Sequence, residues 1–352
     1  MLSHGEAYAA VAVNLAAVGF GTTIYGYDVS TGARAWTTTL SGLPAGSSIV
    51  SVRAWPGVVT AGVAIPDKRH GTAAREEVVL AAATGAQLHR YPAAVYGGAV
   101  AATAARVVIV GVRSVTCYDN VSGRVIWSRA TGKVAQAWRV DQDELYVTVA
   151  PGGYLGTSPV QALRRISLLT GAERVIRPAH AAFAGALSGA GDGVVLFSAA
   201  RGLSAYSGST GRLLWQRPGV VPETADPVRQ TVYVTTGSVL TGISPLTGET
   251  VKGTSVRGPS GLYGVRDGVA LGLDQGPQGL AWGYDIARQR VVWTTPALPW
   301  PHYFVDLSGV GGSADPASST VLLASCAELG SAPAGGSGPQ ACLRPELVAV
   351  RR

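Results

Sequence analysis

Apolar and polar positions along the chain alternate in short runs of four to eight residues, broken by glycine-bearing turns, and one phrase of this kind recurs. It reads TIYGYDVSTGARAW at 23–36, VTCYDNVSGRVIW at 115–127, LSAYSGSTGRLLW at 203–215 and LAWGYDIARQRVVW at 280–293. Weaker copies are VVLAAATGAQLHRY at 78–91, LRRISLLTGAERVI at 163–176 and VLTGISPLTGETVK at 239–252. Period-two alternation ahead of the turn predicts a half-buried strand. The turn itself carries Gly32, Gly85, Gly123, Gly171, Gly211 and Gly248, with Gln289 in the seventh copy; glycine adopts positive φ there at little cost. Four residues earlier stand Asp28, Ala81, Asp119, Ser167, Ser207, Ser244 and Asp285, mostly short polar side chains that can bond the turn backbone ahead of them. Four residues later come Trp36, Trp127, Trp215 and Trp293, large enough to seal one sheet against the next, alternating with His89, Val175 and Lys252.

Upstream of each phrase lies a second strand–turn–strand signal, as in SVRAWPGVVTAGV at 51–63, WRVDQDELYVTV at 138–149 and YGVRDGVALGL at 263–273. Each unit therefore holds four short strands, A, B, C and D. The turn glycines lie 37 residues apart between Gly211 and Gly248 and 53 apart between Gly32 and Gly85. Four-stranded units of this length predict an all-β, eight-bladed β-propeller of antiparallel blades forming one domain over 1–352, its last blade incomplete. An eighth unit reaches PELVAVRR at 345–352 and stops before its turn. The opening Leu2-Ser3 resembles the Leu40-Ser41 that closes the first D strand. On that ground the chain is expected to be a shortened product whose precursor carries a D strand and an anchor or export signal upstream.

Composition refines this picture. Hydrophobic residues make up 47% and charged residues 14%, with 47 glycines and 20 prolines, ample for a core built of short strands. No apolar run reaches the ~18 residues of a membrane span, and MLSHGEAYAAVAV lacks the basic and cleavage regions of a signal peptide. Net charge is +7, and Lys68, Lys133 and Lys252 are the only lysines. The arginines are scattered, without the basic clusters interleaved with aromatics that nucleic acid demands, so no nucleic-acid partner is expected.

The recurring phrase resembles the quinoprotein (PQQ-type) repeat, in which Tyr-Ala-x-Asp-x-x-Thr-Gly-x-x-x-Trp marks each blade; the signatures of WD and kelch blades are absent. That family includes PQQ-dependent alcohol and sugar dehydrogenases, BamB-like outer-membrane assembly lipoproteins, and extracytoplasmic domains of actinobacterial membrane proteins and kinases. The arginine-over-lysine balance and the phrase CLRPELVAV look most like the actinobacterial group.

Chemistry is less well provided for. The enzymes of the family hold PQQ beside a calcium ion, and the alcohol dehydrogenases add adjacent cysteines; this chain has no adjacent cysteines and only two asparagines, Asn14 and Asn120. Asp141, Asp143 and Glu144 form the best acidic cluster but sit in an A–B turn without calcium-loop spacing, and read as solvated. The five histidines make no close pair, no nucleophile elbow occurs, and GAGDGV at 189–194 leads into a strand rather than a helix. The sequon Asn120-Val121-Ser122 falls in a repeat turn. No catalytic, cofactor or metal residue is assigned, and PQQ with calcium is left as the alternative.

Loops carry function in such folds. The B–C connections are long in four units, at 64–77, 151–162, 274–279 and 327–344. They offer Lys68, Arg69, His70, Arg75, Tyr154, Asp274, Gln275 and Gln278 as a ligand face. Cys326 and Cys342 flank the last insertion and are expected to form a disulfide, which implies an oxidising compartment; Cys117 reads as a small buried hydrophobe. The expectation is a non-enzymatic, extracytoplasmic scaffold. It is monomeric, membrane-associated only through a missing anchor, and binds a protein, peptide or cell-envelope ligand. A PQQ-dependent sugar or alcohol oxidoreductase and a kinase sensor domain are the alternatives.

Overall fold

A computed structural model describes residues 8–12, 14–66, 74–93, 98–111, 113–131, 135–149, 162–177, 183, 185–199, 202–226, 229–257, 262–273, 280–295, 303–304, 320–329 and 342–351. Every described element is a strand. The first blade is β1 (Tyr8–Ala12), β2 (Leu15–Phe20), β3 (Thr23–Asp28) and β4 (Arg34–Thr39); the second is β5 (Ser48–Trp55), β6 (Val58–Ile65), β7 (Ala74–Ala81) and β8 (Gln87–Ala93). The third is β9 (Gly98–Ala102), β10 (Arg106–Val110), β11 (Ser114–Asp119) and β12 (Val125–Ala130). Next come β13 (Ala135–Asp141), β14 (Glu144–Val149), β15 (Leu163–Ser167) and β16 (Glu173–Ile176), then β17 (Ala186–Gly191), β18 (Val194–Ala199), β19 (Gly202–Ser207) and β20 (Leu213–Pro218). The sixth blade is β21 (Val221–Asp226), β22 (Thr231–Thr236), β23 (Val239–Ile243) and β24 (Val256–Arg257); the seventh is β25 (Leu262–Arg266), β26 (Val269–Leu273), β27 (Ala281–Asp285) and β28 (Arg290–Thr294).

Each of these is an antiparallel meander with its strands in chain order, the architecture of β-propeller blades. Among the described residues four-stranded blades thus number seven, not eight. Where an eighth was expected, β29 (Tyr303–Phe304), β30 (Thr320–Leu329) and β31 (Cys342–Arg351) make a three-stranded sheet. Among the described residues β31 pairs only with β30. The chain divides into two compact units, residues 1–128 with 298–352, and residues 129–297.

In the first unit the second strand of each blade is buried on both faces, which explains its continuous apolar sequence: all of β6 but Ile65 is buried. Ile24, Trp36, Val52, Val59, Val63 and Leu80 fill the space between the first two blades, and Trp55, Val79, Tyr91, Val107 and Ile109 that between the second and third. In the second unit Phe183 stacks on Phe197 at 4.6 Å while Tyr206 meets Phe183 edge-on at 4.9 Å.

The turn columns act as their chemistry predicts. Asp28 accepts from the backbone N–H of Ser30 and of Thr31, both at 2.9 Å, and Asp119 from those of Val121 and Ser122. The Ser30 hydroxyl, with the Thr31 backbone, holds the Asp28 carboxyl below the usual carboxylate range, and the Ser122 backbone N–H and hydroxyl do the same for Asp119. The six turn glycines, Gly32, Gly85, Gly123, Gly171, Gly211 and Gly248, take φ between 67° and 73°, and Gln289 is held at 52° in the same post.

The facing of the column after the turn is set by the register of the D strand. The D strand is bulged just before Trp36, His89, Trp215 and Trp293, leaving Ala35, Leu88, Leu214 and Val292 unpaired in the register. The extra residue reverses the facing of the next one, which lands opposite Gly26, Val79, Ala205 and Gly283 respectively. An added Cβ at Gly26 would lie 2.2 Å from the Trp36 ring, so the indole needs a bare backbone beneath it. In the fourth blade that column holds Arg165, which is paired with Glu144, and the D strand runs unbulged with Val175 opposite Arg164. In the first, fifth and seventh blades the tryptophan thus lies opposite a glycine or alanine of the C strand.

Candidate functional site

Tryptophan's work is at the joints between blades. The Trp36 indole N–H donates to the Ala82 carbonyl at 2.8 Å, and its ring lies against Gly85 in the next blade's turn. Trp215 repeats this on Pro245 at 2.9 Å and Gly248, and His89 packs on Gly123. With these joints fixed, the two ends of the blades are free to differ.

The A–B ends are short and tied together in the second unit. Asp226, fully buried, accepts from the Gly268 N–H of the following blade at 2.7 Å. Asp141 does the same for Gly193 at 2.8 Å. Arg229 pairs with Asp267 at 3.2 Å, and Gln230 donates to Asp192 at 3.2 Å. Asp141 is therefore a structural pin rather than a merely solvated carboxylate, and its neighbour Glu144 is taken up by Arg165 at 3.1 Å. Among the described residues no group of three or more His, Cys, Asp or Glu is placed to hold a metal ion. Asn120 is buried and donates to the Thr103 carbonyl at 2.9 Å, and Cys117 is buried with its thiol pushed up by desolvation.

The B–C ends carry the longer connections, 66–73 and 330–341 in the first unit and 150–162 and 274–280 in the second. Lys68, Arg69, His70, Tyr154, Asp274, Gln275 and Gln278 lie outside the described residues. Arg75 is described and is not a loop residue. The β6–β7 ladder continues to Ile65↔Ala74, so Arg75 sits on β7 opposite Ala64. Its guanidinium crosses Gly62, where an added Cβ would lie 2.3 Å from Nη2, and donates to Ser51 Oγ at 2.6 Å. The last insertion is shorter than expected for the same reason. Pairing of Glu328 with Arg344 and Leu329 with Cys342 prolongs the hairpin. In this register Cys326 faces Pro345 and Cys342 faces Leu329, so the two are not a cross-strand pair; their side chains lie outside what is described.

Arg75 belongs to a buried polar cluster that the alternation pattern did not reveal. Glu77, one step inward on β7, is fully buried. Burial pushes its carboxyl up, opposed by Arg53, Arg75, the Thr60 hydroxyl and the Ala99 backbone. Arg53 donates to the Ala99 carbonyl of the third blade at 2.7 Å, and Gly98 leaves the space into which the carboxylate reaches. The signal was the charged run Arg75-Glu76-Glu77 on a strand that is otherwise apolar.

Innermost strands share one further feature. β5, β9, β13, β17, β21 and β25 each skip one residue in their ladder with the second strand, at Val50, Val100, Gln136, Ser188, Glu223 and Tyr263. In the fourth and fifth blades the bulge serves a joint, since Arg139 Nε donates to the Ser188 carbonyl at 2.9 Å.

Residues 157–271 match the family model described as outer membrane protein assembly factor BamB. No curated protein sequence matches the chain. Among solved structures it is similar to Sqt1 of Saccharomyces cerevisiae (11% identity, 100% of this chain and 97% of that one, TM-score 0.61). It is also similar to a europium-containing methanol dehydrogenase (12% identity, 92% and 83%, TM-score 0.53). BamB from Moraxella catarrhalis is matched at 17% identity over 83% and 82%, with a TM-score of 0.48.

Proposed function

Starting from a chain that is a PQQ-repeat β-propeller, we propose that it is a non-enzymatic binding scaffold of the cell envelope, engaging a protein or peptide at the B–C ends of its blades. The observation that carries this reading is the contrast between the two ends in the second unit. The A–B turns are short and spend their polar groups on neighbouring blades, through Asp141, Asp226 and Arg229. The B–C ends instead carry the extended connections 150–162 and 274–280. The family model matched by 157–271 is that of an assembly factor, which supports a protein as the partner. On this reading the chain works outside the cytoplasm and needs no PQQ or calcium.

Photo-crosslinking tests it. A photoreactive residue placed at 68, 69, 154, 275 or 278 captures a partner from the envelope fraction, and one at 192 or 267 does not. Equal capture from both ends contradicts the B–C assignment. A change in PQQ absorbance on addition of the protein with calcium, coupled to dye reduction, replaces the scaffold by the oxidoreductase.

A further inference from the structure

We propose a second surface, distinct from the B–C ends: the C–D edge of the fifth and sixth blades, which docks on an anionic lipid bilayer. Among the described residues the fourth strand is the outer edge of each four-stranded sheet, and around the Trp215 joint this edge is apolar and cationic at once. Leu213 on β20 is 41% exposed and Leu246, two residues before the turn glycine of the sixth blade, is 54% exposed. They flank the point where the Trp215 indole is held by Pro245 and Gly248. Arg212, next to Leu213, and Lys252, four residues past the turn glycine of the sixth blade, are exposed, and neither forms an ion pair with an acid among the described residues. The one acid on this hairpin, Glu249, accepts from the Thr247 hydroxyl at 3.4 Å.

The same arrangement recurs in the first unit. There Leu88 is 37% and Val121 84% exposed on either side of the contact between His89 and Gly123, with Arg124 exposed beside them. Exposed apolar residues also stand in the equivalent places of other blades, at Ile126, Leu169 and Val292, so the feature belongs to the C–D edge of the repeat.

A bilayer fits this chemistry better than a strand-donating protein. The apolar groups stand on a turn tip and beside a bulged edge position rather than in a groove, and the bulge at Leu214 blunts the edge against strand addition. Projecting leucines flanked by long cationic side chains are the composition of an interfacial anchor. The aliphatic groups enter the headgroup boundary while the guanidinium and ammonium groups meet lipid phosphates.

Co-sedimentation of the whole chain with vesicles tests the proposal, using phosphatidylcholine alone and with one-third phosphatidylglycerol, at low and high salt. We expect binding to the anionic vesicles at low salt and little to the neutral ones. Arg212→Glu with Lys252→Glu lowers the partition coefficient by about five-fold or more per charge. Leu213→Ser with Leu246→Ser lowers it independently, while Arg113→Glu on a B–C turn leaves it unchanged. Near-ultraviolet circular dichroism identifies any variant that has lost its fold. Failure of the parent chain to sediment with anionic vesicles overturns the proposal. So does a loss in Arg113→Glu as large as in the edge variants. Loss of B–C crosslinking bears on the scaffold alone and leaves this result standing.

Discussion

Replacing Trp36 by alanine tests the structural account at its most repeated column. Trp36 is only 8% exposed, its indole N–H is bonded to Ala82, and its ring fills the space over Gly26 and Gly85. Truncating a buried aromatic to alanine costs about 3–5 kcal/mol through lost transfer energy and the cavity left behind. The orphaned Ala82 carbonyl adds about 1 kcal/mol where water does not replace the donor. Trp36→Phe keeps most of the ring and loses the N–H, and is expected to cost about 1–2 kcal/mol. Val175 occupies the same column in the fourth blade, where the missing bulge leaves it 45% exposed, so Val175→Ala should stay within about 0.5 kcal/mol. Urea unfolding of the whole chain, followed by tryptophan fluorescence and far-ultraviolet circular dichroism at an unchanged m-value, reads all three. The reasoning fails if Val175→Ala costs as much as Trp36→Ala, or if Trp36→Ala costs less than Trp36→Phe.

Glu77 is expected to make stability depend on pH. Its carboxyl is raised by burial, so it binds its proton more tightly folded than unfolded. Its contribution is fully present below the unfolded glutamate value of about 4.3 and is lost as pH rises through the folded value. Denaturation midpoints of the parent should therefore fall relative to Glu77→Gln over that window, and parallel profiles would refute it. Gln289 is held at a φ of 52°, so Gln289→Gly should gain about 0.5–1 kcal/mol, read as a higher urea midpoint; a lower midpoint contradicts the strain. A Cys326–Cys342 disulfide requires a pairing three residues away from the observed register. Peptide mapping under non-reducing conditions should find it only if the hairpin re-pairs, and a linked peptide with β30 and β31 in the described register would contradict that geometry.

The blade was legible because each copy repeats the same physics. An Asp or Ser bonding a turn, a glycine at positive φ and an apolar alternation recur often enough to show through weak copies such as 163–176. The bulges were not legible, since one inserted residue changes no composition, yet they set the facing of the column after the turn, which differs between Trp36 and Val175. Arg75 was misassigned to a loop because Arg75-Glu76-Glu77 looks solvated when each residue is read alone. Only its ladder pairing with Ala64 shows that the strand continues through it, with the guanidinium crossing Gly62 to Ser51. The eighth unit was expected to be incomplete, with strands A, B and C and no D, and the described residues at 303–351 form a three-stranded sheet there.

The central claim is that the B–C ends bind a protein partner, and the affinity of the crosslinked partner for purified variants tests it most directly. Charge reversal at Lys68 and Arg69 should raise Kd by about ten-fold or more, while reversal at Arg266, beside an A–B turn, should leave Kd within about two-fold, as for a charge away from the contact. An Arg266 variant that weakens binding as much as the Lys68 and Arg69 pair would contradict the account.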